Sequence, residues 1–229
     1  MTGAPLDRPV WSMLTGPQAA LARGDDLAVR IDPGFGPFAA ARDASVKALA
    51  ALGNLALAGE DLWLIEREEW PVPPGMELLR TARLVQMMAD NPMPPQPGDA
   101  TCDLLGEADA AEMTALALAT KPGPWGEKTR RYGQFYGIRD GGKLAAMAGE
   151  RMRPAPGLAE VSAVCTWPDY RGQGLAGQLI RRVMAGFTAR GDLPFLHSYA
   201  ENAKAIGLYQ SLGFEIRCEM VVTVVRRVE

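Results

Sequence analysis

Between residues 160 and 187 the chain passes from β-branched and small side chains into a glycine-rich loop, Arg171-Gly172-Gln173-Gly174-Leu175-Ala176, and then into its most amphipathic segment. Leu175, Leu179, Ile180, Val183, Met184 and Phe187 share one stripe at helical spacing, which predicts a helix over 175–187. A strand, a tight loop and a helix in immediate succession commit this region to packing a helix on a sheet. Glycines carry no Cβ, so backbone N–H groups in the loop can close on an anion. The helix N-terminus adds partial positive charge there and Arg171 a full one. The loop reads as a pyrophosphate cradle, set against the plainer reading of glycines that only cap a helix.

The flanking segments continue the pattern. Residues 101–105 read as a short strand and 109–120 as a helix, broken by Lys121-Pro122-Gly123-Pro124-Trp125. Residues 135–139 and 144–152 read as paired strands around Asp140-Gly141-Gly142, and 160–166 as another strand. A strand at 194–199, a helix over 202–212 with Asn202 as N-cap and Gly213 past its end, and a β-rich tail over 214–225 complete the order. This is an α/β (α+β) plan.

The clearest break lies upstream, where Asn91-Pro92-Met93-Pro94-Pro95-Gln96-Pro97-Gly98-Asp99 reads as an extended linker. It divides the chain into an N-terminal lobe, 1–95, and a second domain, 96–229. In the first lobe, segments 16–24, 43–58 and 76–90 are rich in Ala and Leu. Residues 43–53 read as a helix, 62–65 as a strand and 71–75 as a turn; no catalytic constellation is present.

Composition removes several functions. A net charge of -3 argues against a nucleic-acid partner, and no apolar run approaches the length of a membrane span. The N-terminus has no basic segment leading into an apolar one, so no signal peptide is expected. Cys102, Cys165 and Cys218 are odd in number and widely spaced, which fits reduced thiols and a cytoplasmic protein. A single histidine, His197, excludes a His-rich metal site, and no metal is expected. Gly172, Gly174 and Gly177 also spell G-x-G-x-x-G, so a dinucleotide-dependent oxidoreductase is a rival. Against it, residues 167–171 intervene between strand and first glycine, and little chain remains for further βα units.

Two motifs together carry a resemblance. Residues 164–176, Val-Cys-Thr-Trp-Pro-Asp-Tyr-Arg-Gly-Gln-Gly-Leu-Ala, resemble the acyl-CoA-binding signature of GNAT acetyltransferases. Residues 202–214, Asn-Ala-Lys-Ala-Ile-Gly-Leu-Tyr-Gln-Ser-Leu-Gly-Phe, resemble that family's second signature, N-x-x-A-x-x-L-Y-x-x-L-G-F. The resemblance covers roughly 101–229. It is nearest the glycine N-acyltransferase-like branch, through Glu160-Val161-Ser162-Ala163-Val164 and Pro194-Phe195-Leu196-His197-Ser198. It implies a mixed central sheet splayed at the acyl-CoA site with flanking helices, and an N-terminal lobe that is a degenerate GNAT-like half. The implied activity is acyl transfer, most simply acetyl transfer, from acetyl-CoA or another acyl-CoA to an amine in a ternary complex. The acceptor would be a small-molecule amine, an amino acid or a peptide N-terminus, and a homodimer is compatible. A non-catalytic acyl-CoA-binding module stands as the alternative.

The resemblance implies cofactor contacts from Val164, Cys165, Thr166, Arg171, Gly172, Gln173, Gly174, Leu175, Ala176, Asn202 and Tyr209. Glu160 would be the general base, Tyr209 the acid that protonates the leaving thiolate, and a backbone N–H near Val164 an oxyanion donor. Each has a plainer reading: Glu160 an exposed strand-start carboxylate, Tyr209 a core side chain, Cys165 simple packing. Glu150 lies on an apolar face of its strand, which calls for an arginine partner or a role at the substrate. His197 is either a hydrogen-bonded core histidine or a base, and Trp125, Phe135 and Tyr136 either line the acceptor pocket or pack.

Overall fold

The structure, a computed structural model, describes residues 3–228. Two short helices, α1 (Gly3–Asp7) and α2 (Pro9–Leu14), lead into strands β1 (Ala22–Gly24), β2 (Ala28–Ile31) and β3 (Ala39–Ala41). Helix α3 (Val46–Gly53) begins where the Ser45 hydroxyl accepts the Ala48 N–H, an N-cap that stops the chain fraying there. Then come β4 (Asp61–Glu66), β5 (Met76–Met88), β6 (Asp103–Leu105), α4 (Ala110–Thr120), β7 (Phe135–Asp140), β8 (Lys143–Glu150) and β9 (Leu158–Thr166). Helix α5 (Leu175–Ala189), β10 (Leu193–Tyr199), α6 (Ala203–Ser211) and β11 (Glu215–Arg227) finish the chain.

Strands β1–β3 form a small antiparallel sheet, and the other eight form one large sheet in the order β4-β11-β5-β10-β9-β8-β7-β6. Among these, β9 and β10 run parallel and every other neighbouring pair is antiparallel. Alternation along the strands divides two cores. Phe195, Leu158 and Leu84 face a layer built from α1, α2 and β2, with Leu6, Val10, Met13 and Ile31. Leu196, Ala159 and Val85 face α5, whose Leu179, Ile180, Val183, Met184 and Phe187 form the stripe read from the sequence. The result is three layers with the sheet in the middle.

The linker does not separate two sheets. Strand β5, from residues before it, lies between β10 and β11 and pairs antiparallel with both. Residues 76–90, grouped above only by Ala and Leu content, are therefore largely a 13-residue strand. Burial of Leu84, Val85, Gln86 and Met87 between two neighbours outweighs the weak helix preference of that composition. The proline-rich stretch is itself pinned: the Met93 N–H donates to the Leu212 carbonyl, and Arg181 pairs with Asp99 at 2.9 Å. Segments 1–95 and 96–229 thus share one large sheet, and both contribute to the core on each of its faces.

Candidate functional site

The sheet opens where β9 and β10 part. Their parallel pairing covers only Leu193↔Leu158, Pro194↔Ala159 and Phe195↔Glu160. Strand β9 also slips register against β8 between Gly149↔Ser162 and Met147↔Cys165, leaving Ala163 at φ 50. That left-handed conformation costs an alanine about 1–2 kcal/mol, held by the packing of its buried side chain. The bulge leaves Val164 without a partner in the β8 register, at the wall of the opening.

Two adjoining cavities fill the gap. The larger, about 560 Å³, is lined by Val164, Cys165, Thr166, Arg171, Gly172, Gly174, Leu175, Ala176 and Asn202 among others. Gly172 and Gly174 have φ of 81 and 75, so any side chain there would be strained, and α5 begins directly after them. The loop thus offers unhindered backbone and a helix N-terminus to an anion. Gln173 does not reach this lining; the Asn202 side chain caps α6 by accepting the Ala205 N–H at 3.1 Å. Cys165 packs under α4, and burial pushes its thiol up to about 12, so it stays protonated and inert.

The second cavity, about 360 Å³, shares Thr120, Val164, Ala176, Asn202, Ala205 and Leu208 with the first. Its own walls are Phe38, Trp63, Ile65, Leu84 and Val222, the loop Lys121–Pro124, and Arg151, His197, Ser198, Tyr199 and Tyr209. Tyr209 comes from α6 and packs edge-on against Phe214, ring centroids 6.1 Å apart. Burial raises its phenol above the ordinary value, which keeps it a proton donor.

Beneath this cavity runs a buried polar chain. Glu160 is fully buried and takes Arg151 at 2.7 and 2.8 Å, the Met152 N–H at 3.3 Å and Nδ1 of His197 at 2.8 Å. Burial alone would raise the Glu160 carboxyl, but Arg151 and His197 outweigh it and hold it at about 2. Nε2 of His197 lies 3.0 Å from Nε2 of Gln86, whose oxygen accepts from Arg217 at 2.8 Å; Arg217 in turn pairs with Asp7 at 2.7 Å.

The expectations for single residues divide. The strand-start carboxylate expected at Glu160 is not exposed, and Glu160 is absent from both cavity linings. It is enclosed and paired with Arg151 and His197, so its carboxylate does not open onto either cavity. Glu150 also leaves the site: Arg190 binds it at 2.9 Å, and Arg153 binds it too. Trp125, Phe135 and Tyr136 pack instead of lining the pocket. Trp125 stands edge-on to Phe135 under α4 and donates to Thr114, while Tyr136 lies under Arg182 at 4.2 Å. In their place the second cavity is walled by Phe38, Trp63, Ile65 and Leu84 from the first lobe, plus Arg151. No motif marks these positions; only the alternation that buries Leu84 and Ile65 hints at them.

Among the described residues no group of three or more His, Cys, Asp or Glu is placed to hold a metal ion, and no helix is long and apolar enough to cross a membrane.

Comparison with known proteins agrees with this geometry. The FR47-like protein family matches residues 135–223. N-alpha-acetyltransferase RimI of Mycobacterium tuberculosis (strain ATCC 25618 / H37Rv) is 31% identical over 125 residues, covering 50% of this chain and 78% of that protein. The [ribosomal protein bS18]-alanine N-acetyltransferase of Escherichia coli (strain K12) is 36% identical over 98 residues, 40% of this chain and 64% of the relative. A putative GNAT-family acetyltransferase from Novosphingobium aromaticivorans DSM 12444 superposes with a TM-score of 0.92 at 55% identity, over 98% of this chain and 99% of that one. A GCN5-related N-acetyltransferase from Kribbella flavida shares the fold, with TM-score 0.64 at 20% identity over 95% and 93% of the two chains. The splayed sheet, the glycine loop at the head of α5 and these relatives together make the chain a member of the GNAT family, an N-acetyltransferase enzyme.

Proposed function

We propose that the enzyme moves an acetyl group from acetyl-CoA to a primary amine by direct attack within a ternary complex. The observation that carries this is the pair of cavities that meet at Val164 and Ala176, one at the glycine loop and one at Tyr209 and His197. Loop 171–176 would hold the pyrophosphate, β9 the pantetheine arm, and the thioester would lie where the cavities join. The amine would enter through the second cavity.

Each group then has a task. An ammonium with a pKa near ~10 must lose a proton before it can attack. That proton would pass to water in the second cavity, because the one Nε2 lone pair of His197 is taken by the Gln86 N–H and Glu160 is enclosed behind Nδ1. The backbone N–H near Val164 would donate to the oxygen that gains charge. As the C–S bond breaks, Tyr209 gives its proton to the departing thiolate and is reprotonated from solvent.

Within the family, runs 160–164 and 194–198 support a place beside the glycine N-acyltransferase-like branch, while the RimI-like relatives support a peptide N-terminus as acceptor. Calorimetric titration with acetyl-CoA, CoA and NADH, followed by an amine and peptide panel, tests the reading. Binding of both CoA species, not NADH, with acetyl transfer to an amine, is the expected result. Preference for NADH would overturn it, and CoA binding without transfer to any amine would favour the non-catalytic module.

A further inference from the structure

Gln86 is completely buried on β5, outside the stretch 135–223 that the FR47-like family matches. Two neighbours fix which way round its amide stands. The Arg217 guanidinium can only donate, so the atom 2.8 Å from its Nη1 is the Gln86 oxygen. The Leu6 carbonyl can only accept, so the atom 2.9 Å from it is the amide nitrogen. That same nitrogen stands 3.0 Å from Nε2 of His197, and Nε2 must therefore accept. At the other side of the ring, the Glu160 carboxylate can only accept, so Nδ1 carries the hydrogen. Both ends of the chain demand one tautomer.

We propose that Gln86 is a positioning residue that holds His197 as the neutral Nδ1–H tautomer and keeps Nε2 unprotonated at rest. An imidazolium would set Nε2–H against the Gln86 N–H, two donors facing each other, and neither Leu6 nor Arg217 lets the amide turn round. The charged groups around the ring oppose one another. Glu160 favours the imidazolium; Arg151 beyond it and Arg217 behind Gln86 oppose it; Asp7 offsets Arg217. Tyr132, beside the Arg151–Glu160 pair, and Tyr199, two residues along β10, add only phenols. With Nδ1 held by Glu160 and Nε2 by Gln86, the ring stands at the wall of the second cavity in one orientation; the tautomer follows from the geometry alone and does not rest on the proposed function.

His197 is the only histidine in the chain, so nitrogen-15 NMR of histidine-labelled protein reports a single ring. At neutral pH the wild type is expected to show a pyrrole-like Nδ1 and a pyridine-like Nε2. In Gln86→Leu the Nε2 signal should move toward that of a ring nitrogen without a hydrogen-bond donor. In Gln86→Glu, of the same shape, a carboxylate faces Nε2 and should draw a hydrogen onto it, so the Nε2 signal turns pyrrole-like at the same pH. A wild-type ring that is Nε2–H or imidazolium, or a Gln86→Glu ring whose Nε2 stays pyridine-like, would overturn the proposal. If the leucine variant does not fold, the wild-type spectrum and the glutamate variant decide. Absence of acetyl-CoA binding by calorimetry would instead overturn the proposed function and leave the tautomer result standing.

Discussion

Oε1 of Glu160 and Nδ1 of His197 lie 2.8 Å apart across the parallel pair β9–β10, at the point where the two strands separate. Glu160 is in register with Phe195, the last paired residue of β10, so His197 two residues on projects from the same face just beyond the pairing. The contact joins the buried side of the sheet to the cavity where an amine would react.

The pairing of Glu160 with Arg151 first, and with His197 second, makes the fold sensitive to acid. The Glu160 carboxyl stands at about 2 in the folded chain against 4.5 for the free group. Its contribution to stability is whole above pH 4.5 and is lost as the pH falls toward 2. Glu160→Gln should flatten that acid limb in thermal unfolding. At neutral pH it should also unfold at lower temperature, because it leaves the Arg151 charge buried and unpaired, at about 3 kcal/mol or roughly 6–12 °C. An unchanged acid limb would show that another group sets it.

Tyr209→Phe should lower kcat by about 100-fold or more, the range for loss of a general acid, with the calorimetric affinity for acetyl-CoA nearly intact. Weakened binding with an intact chemical step would count against the acid role.

Gly174→Glu should abolish acetyl-CoA binding in calorimetry. The substitution forces a side chain into φ 75 and places a carboxylate where the loop and the start of α5 would attract an anion. Binding within about tenfold of wild type would mean that the pyrophosphate lies elsewhere.

Trp63→Ala and Phe38→Ala should raise KM for the acceptor while leaving the affinity for acetyl-CoA unaltered, since both side chains wall the second cavity and neither touches the first. Equal effects on both ligands would show that the first lobe supports the fold without selecting the amine.

A fragment of residues 96–229 should fail to fold. Without β5, strands β10 and β11 lose the partner they share and the buried Gln86, Met87 and Leu84 leave the core. A cooperative thermal transition for the fragment, read by circular dichroism, would show that the second segment folds independently.

The elements from β6 to β11 were legible in the sequence because each carries its own local signal: the stripe on α5, the Asn202 cap and the glycines at 141–142, 172–174 and 213. The glycine loop was legible for the same reason, since a left-handed φ favours glycine over residues that carry a Cβ. What tertiary structure alone decided is long-range. Nothing local announces that β5 inserts between two strands more than 100 residues downstream, or that Gln86 meets His197 and Phe38 meets the second cavity. The same holds for Glu160. Its sequence context left a general base and a plain exposed carboxylate both open, but whether a carboxylate at a strand start is open or buried depends on what the fold lays over it. Here Arg151, the Met152 N–H and His197 close on it, and the carboxylate is bound to all three.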